Sequence, residues 1–255
     1  MHLGLGFRSY LSTTYFKGTP STRRQKVCRR GRHASTRGYD SCMSFQFPRV
    51  YPILDASRIP RVGRAAFLSR LGASLAQAGV TLLEYRNKLG IDAELLADAA
   101  ALRAALPAGQ VKLILDDRAD LIVSIGFDGV HVDSGDASPA EARRRIGPKR
   151  IIGTFGGSTE FLPGVLEGPA DYLAVGPVFT STTKQTATPP IGVEGVRRMR
   201  ELAGLDRVIT CPAGITLATP GQVIEAGATT VAVSAAIFGA ADPAAEFQLW
   251  ARSLA

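Results

Sequence analysis

A (β/α)₈ barrel of the TIM type is the fold class this sequence predicts, on three observations. From Val50 onward, short β-type runs alternate with helical stretches, eight of each. The length, 255 residues, suits one such barrel carrying an extension. The first strand runs into Asp55-Ala56-Ser57-Arg58, without the glycine-rich fingerprint of an open doubly wound sheet.

Each element has its own signal. Val50–Asp55 is a first strand with Pro52 near its beginning. The helix after it places Ala65, Leu68, Leu71, Leu75 and Ala76 on one face, with Gly79 beyond its end. Thr81–Arg86 is a second strand, followed by a helix across Glu94–Leu106. Val111–Asp116 is the third, with a short helix over Arg118–Ile125. Gly129–Val132 is the fourth, and Ser138 caps a helix reaching Ile146. Arg150–Gly153 is the fifth, with Ser158 opening a helix. Tyr172–Gly176 is the sixth, followed by a helix near Val193–Ala203. Arg207–Cys211 and Thr230–Val233 complete the strands, with helices near Pro220–Ala226 and Pro243–Leu254.

The formal charge of +8 is a property of one end of the chain. Residues 1–42 hold nine basic residues and one acid, Asp40, leaving 21 of each sign in residues 43–255 from totals of 30 and 22. The basic balance therefore says little about the domain's partners. Residues 1–47 are expected to be a basic extension and residues 48–255 the barrel. The extension reads as a transit peptide, as a disordered anion-binding arm, or as sequence upstream of a true start at Met43, which is favoured because ordered patterning begins at Val50. Three cysteines (Cys28, Cys42, Cys211) without metal spacing point to a reducing cytoplasm. The uncharged stretch Ala226–Ala241 is too short for a membrane span.

Loops after the strands of such a barrel share the face where chemistry occurs. Glu84, Arg86 and Lys88 follow strand two, pointing one way by alternation. Asp116, Asp117 and Arg118 follow strand three, and Asp133, Ser134 and Asp136 strand four. Strand six leads into Gly176–Lys184, where Ser181 and Thr183 converge on Lys184 in a candidate anion loop. Strands seven and eight end in Ala213-Gly214 and Ser234-Ala235-Ala236, small enough for backbone to approach a phosphate. Two carboxylates with substrate oxygens suit Mg²⁺, and the cations suit a diphosphate. Singly, these groups also fit plainer roles: a solvated charge pair at Arg86 and Lys88, a packed structural histidine at His131, a small buried hydrophobe at Cys211.

These residues resemble the thiamine phosphate synthase family, over Val50–Phe238. Leu83–Lys88 is similar to its Val-Gln-Leu-Arg-x-Lys segment, and Leu115–Leu121 to its Asn-Asp-Arg-Val-Asp-Leu segment. Asp128–Val132 with Asp136 resembles its Asp-Gly-Val-His-Leu-Gly-Gln-x-Asp block, and Gly176–Lys184 its Gly-Pro-Val-Phe-x-Thr-x-Thr-Lys loop. The resemblance implies a transferase that joins hydroxymethylpyrimidine diphosphate to thiazole phosphate, with Mg²⁺ as cofactor. The diphosphate leaves, and the thiazole nitrogen captures the pyrimidine carbocation. By position, Asp117 and Asp136 are then the metal ligands. Arg86, Lys88 and Lys184 are the catalytic cations on the diphosphate, with Glu84 and Asp116 beside it. Ser181, Thr183, Gly214, Ser234 and Ala235 hold the thiazole phosphate. The expected partners are these small-molecule substrates, with neither nucleic acid nor membrane for the domain and room for a homo-oligomer.

The sequence departs from the family pattern at named positions. A glutamine is replaced by Glu84, an asparagine by Asp116, a second glutamine by Ser134, a fifth-loop serine by Phe155, and Gly-Gly by Ala213-Gly214. A carboxylate about 4 Å from a diphosphate charge costs on the order of 4 kcal/mol at an effective dielectric near 20, if uncompensated. A protonated Glu84, or extra metal on Asp116, would offset that. The alternative is a paralogue that binds thiazole phosphate, either tautomerase-like or noncatalytic. Retention of Asp117, Asp136, Arg86 and Lys88 argues for the synthase, and the fifth loop lacks the histidine a tautomerase could use.

Overall fold

The computed structural model describes residues 45–156, 162–180 and 189–255. Its strands are β1 (Val50–Asp55), β2 (Leu82–Arg86), β3 (Lys112–Asp116), β4 (Gly129–Val132), β5 (Ile151–Phe155), β6 (Tyr172–Ala174), β7 (Val208–Pro212) and β8 (Thr230–Val233). All pair in parallel in sequence order, and β8 returns to β1 to close the barrel. The helices are α1 (Arg64–Gln77), α2 (Asp92–Ala105), α3 (Ile122–Ile125), α4 (Pro139–Ile146), α5 (Leu162–Leu166), α6 (Gly192–Ala203), α7 (Pro220–Glu225), α8 (Ala235–Phe238) and α9 (Pro243–Ser253). The expected helix signal at Ser158 lies outside the described residues, whereas α8 was unexpected: four residues of helix begin where the sequence suggests only a small-residue loop.

Strand alternation sorts the core into two compartments. Outward residues such as Leu83, Leu113, Val130, Ile152, Leu173, Ile209 and Val231 pack beneath the helices in one large apolar cluster. Inward residues Tyr51, Leu82, Ile114, Ile151, Tyr172 and Ala232 form a second cluster inside the barrel. Phe45 and Phe47, ahead of β1, pack against this inner cluster, with the Phe47 ring 5.4 Å from that of Tyr172. Tyr172 fits because β5 offers Gly153 opposite it; a Cβ there would stand 2.0 Å from the ring.

One device recurs at the far end of the barrel from the candidate site. Arg103 of α2, Arg143 of α4 and Arg200 of α6 each donate to loop carbonyls and to one side chain just before the second strand on. Arg103 reaches Asp128 (2.9 Å), Arg143 reaches Asp171 (2.8 Å) and Arg200 reaches Thr229 (3.3 Å). The same acceptors take a strand N–H, from Leu113 (3.0 Å), Ile152 (2.7 Å) and Ile209 (3.1 Å) respectively. Each arginine thus satisfies carbonyls that leave a helix while fixing the next strand pair. The repetition at every second helix marks three quarter-barrel units built alike.

Candidate active site at the barrel mouth

β2 and β3 deliver the charged groups. Arg86 ends β2 on the inward register and pairs with Asp55 at the end of β1 and with Asp116 at the end of β3, its Nε 3.2 Å from Oδ2. Lys88 Nζ stands 3.3 Å from the same Asp116 oxygen and also pairs with Asp117. The carboxylates that looked costly in the sequence are therefore compensated: Asp116, only 4% exposed, sits between two cations. Among the described residues of this cluster three carboxylates face two cations, a formal negative charge. Asp55 escaped the sequence inventory because it reads as an ordinary strand end. Burial works to raise its pKa, but hydrogen bonds from Ser57 and the Arg86 guanidinium outweigh that and hold it below the usual carboxylate range.

Asp117 adopts φ +75°, a left-handed conformation that costs a non-glycine residue energy. Its N–H donates to His131 O at 2.8 Å, which ties the β3 loop to β4. One carboxylate oxygen takes Lys88; the other, Oδ1, is buried without a hydrogen-bond partner among the described residues. An orphaned anionic oxygen of this kind fits a cation supplied with the substrate. Asp136 is exposed in the loop after β4, where its Oδ2 accepts the Asp133 N–H at 2.9 Å. Among the described residues no group of three or more His, Cys, Asp or Glu side chains is gathered as a metal site by itself. The donor set thus suits a metal held partly by substrate oxygens, with one or two carboxylates from the protein.

Glu84 lies one layer deeper than Arg86 and is 5% exposed. Tyr51 donates to its Oε2 at 2.8 Å; the Tyr51 and Tyr172 hydroxyls are 3.1 Å apart, and Tyr172 is 3.1 Å from His131 Nδ1. His131 Nε2 is 3.3 Å from Asp133, so a polar chain crosses the barrel from β2 to β4. Burial, with Asp116 nearby, pushes Glu84 up to about 7. Burial opposes charge on His131, yet the Asp133 hydrogen bond and Glu84 prevail and raise it. His131 is accordingly the packed, partnered histidine its apolar strand suggested. Cys211 is fully buried with its thiol pushed up to about 12 by burial, which suits a small hydrophobe and not a nucleophile.

The opposite side of the mouth is built from backbone. Ala213 and Gly214 follow β7 with φ +74° and +69°. A Cβ on Gly214 would meet Thr180 O at 2.6 Å, so only glycine permits this approach to the β6 loop. Ser234 and Ala235 lead β8 into α8, whose first N–H groups have no intrahelical acceptor. Ser181, Thr183 and Lys184 lie outside the described residues. Phe155 closes β5 on the inward register, partly exposed, and Ser134 is exposed in the β4 loop.

A closed parallel barrel whose charged side chains and small-residue backbone turns gather at one mouth defines a TIM-barrel enzyme. Residues 50–237 match the family model described as thiamine monophosphate synthase. The thiamine-phosphate synthase of Koribacter versatilis is 40% identical over 74% of this chain and 89% of its own length. That of Agrobacterium fabrum is 36% identical over 76% and 88%. Among solved structures, a thiamine phosphate pyrophosphorylase from Pyrococcus furiosus covers 81% of this chain and 95% of its own, with a TM-score of 0.67 and 24% identity, a likeness of fold. The chain belongs to the thiamine monophosphate synthase family, and is a transferase.

Proposed function

We propose that this protein joins hydroxymethylpyrimidine diphosphate to thiazole phosphate, giving thiamine phosphate and inorganic diphosphate. The C–O bond between the pyrimidine methylene and the diphosphate breaks, and the oxygen keeps the electron pair. The thiazole nitrogen then supplies the pair for the new C–N bond, so no proton transfer is needed for balance. Negative charge collecting on the leaving group is the quantity to stabilise. Arg86 and Lys88 are already fixed at one oxygen of Asp116 and need only exchange carboxylate for phosphate oxygens. Lys184 adds a third cation. Gly214 and the Ser234-Ala235 backbone receive the thiazole phosphate, with Ser181 and Thr183.

Mg²⁺ fits as cofactor, held by Asp117 and Asp136, and supplies further neutralisation of the diphosphate. The single observation supporting this reading is Asp117 Oδ1, buried and unpartnered among the described residues, on a carboxylate whose other oxygen takes Lys88. At pH 7 a substantial share of Glu84 is protonated, which lessens the penalty of placing a carboxyl group below the diphosphate. No helix among the described residues is long and apolar enough to cross a membrane. A cytoplasmic setting agrees with the buried free thiol of Cys211.

The test is to incubate the purified chain with both substrates, with Mg²⁺ or with EDTA, and follow thiamine phosphate and diphosphate together. Equimolar, Mg²⁺-dependent products are expected. Thiazole phosphate binding without product would reject the synthase reading in favour of a noncatalytic relative.

A further inference from the structure

The end of β2 and the loop after it carry Arg86 and Lys88, two of the three cations of the proposed diphosphate site, and the outer face of that loop is anchored by a chain of hydrogen bonds. Alternation turns Arg86 into the mouth and leaves Tyr85 and Asn87 together on the outer face of β2. The single amide of Asn87 is used at both ends. Its Oδ1 accepts the Leu89 N–H at 2.8 Å, closing an Asx turn with Lys88 at the apex. Its Nδ2 donates to the Tyr85 hydroxyl at 3.0 Å.

That hydroxyl in turn donates to Asp98 Oδ2 at 2.6 Å. Asp98, on α2, is 2% exposed and is gripped by Arg64 of α1, whose Nε is 3.1 Å from Oδ1 while Nη2 takes Oδ2. Burial and Asp98 raise the Tyr85 pKa, so the hydroxyl keeps its proton and its polarity. The far end of the loop is tied separately, through Asp92 to Arg118 at 2.6 Å.

We propose that Asn87, held by Tyr85 to the buried Asp98–Arg64 pair, is a positioning residue that sets the spacing of Arg86 and Lys88 for a diphosphate. This rests on the diphosphate site proposed above and adds what fixes its geometry. A lysine on an untethered loop explores many rotamers. Misplacing such a group by about 1 Å costs up to a hundredfold in rate. Asn87 is itself only partly buried, so its removal leaves the barrel core intact.

The experiment compares the full chain with its Asn87→Ala, Tyr85→Phe and Arg86→Ala variants. Each is titrated with inorganic diphosphate and Mg²⁺ by calorimetry, assayed for KM of both substrates, and melted. Asn87→Ala and Tyr85→Phe should each weaken diphosphate binding on the order of tenfold and leave the thiazole phosphate KM within about twofold. Asn87→Ala should also keep its Tm within about 3 °C. Wild-type diphosphate affinity in both positioning variants, with loss in Arg86→Ala, would overturn the proposal and leave the diphosphate site standing. Equal weakening toward both substrates with a large drop in Tm would overturn it in favour of a purely structural role. Wild-type affinity in Arg86→Ala would remove the diphosphate site itself, and the positioning role with it.

Discussion

Replacing Glu84 with glutamine should change how stability depends on pH, and the size of the change follows from its surroundings. The folded protein raises this carboxyl from 4.5 to about 7, chiefly by burial, with Asp116 and Asp133 adding to it and His131 and the Tyr51 hydrogen bond opposing. Between those values the folded chain keeps a proton that the unfolded chain has released. Raising the pH therefore favours unfolding, and the contribution is complete below about 4.5 and lost above about 7. At about 1.4 kcal/mol per pH unit, the loss across the window is about 3 kcal/mol. His131, also raised, runs in the same direction and reports partly on Glu84. Glutamine is neutral throughout and still accepts from Tyr51. In urea unfolding, wild type should lose about 1 M of midpoint relative to Glu84→Gln on going from pH 5 to pH 8. The variant should also bind inorganic diphosphate more tightly at pH 8, by a larger factor than at pH 6. Parallel stability curves for the two proteins would refute the argument, because they would mean that Glu84 ionises at its ordinary pKa in the folded chain.

Two further predictions concern the scaffold. Asp171→Ala strips Arg143 of its carboxylate and the Ile152 N–H of its acceptor, both in partly buried surroundings, and should cost about 3 kcal/mol in equilibrium unfolding. A loss under about 1 kcal/mol would show that the recurring arginine device is not a source of stability. Gly153→Ala should displace Tyr172 and destabilise by about 3 kcal/mol or more, whereas Gly164→Ala, with open space around it, should be neutral or better in the same thermal melts.

Much of the barrel was legible because parallel strands buried on both faces leave continuous apolar runs, and helices leave apolar stripes. Strand ends could be read for chemistry because Arg86, Lys88, Asp116 and Asp117 are charges placed where an apolar run stops. Partners across the barrel were not legible. Tyr51, Glu84, Tyr172 and His131 lie on β1, β2, β6 and β4, and only closure of the sheet makes them neighbours. For the same reason Asp55 gave no signal until β1 was set beside β2 with Asp55 opposite Arg86. The two suspect carboxylates illustrate the gap. The sequence shows Glu84 and Asp116 only as two carboxylates near neighbouring strand ends, whereas the fold buries one, which raises its pKa, and sets the other against two cations.

We propose that the mouth forms a metal–diphosphate centre on Asp117, Arg86 and Lys88. Mn²⁺ paramagnetic resonance tests it most directly, with the ion titrated into the protein in the presence and absence of inorganic diphosphate. Diphosphate should strengthen Mn²⁺ binding to wild type, and Asp117→Asn should abolish this gain. Tight Mn²⁺–diphosphate binding that survives both Asp117→Asn and Asp136→Asn would contradict it.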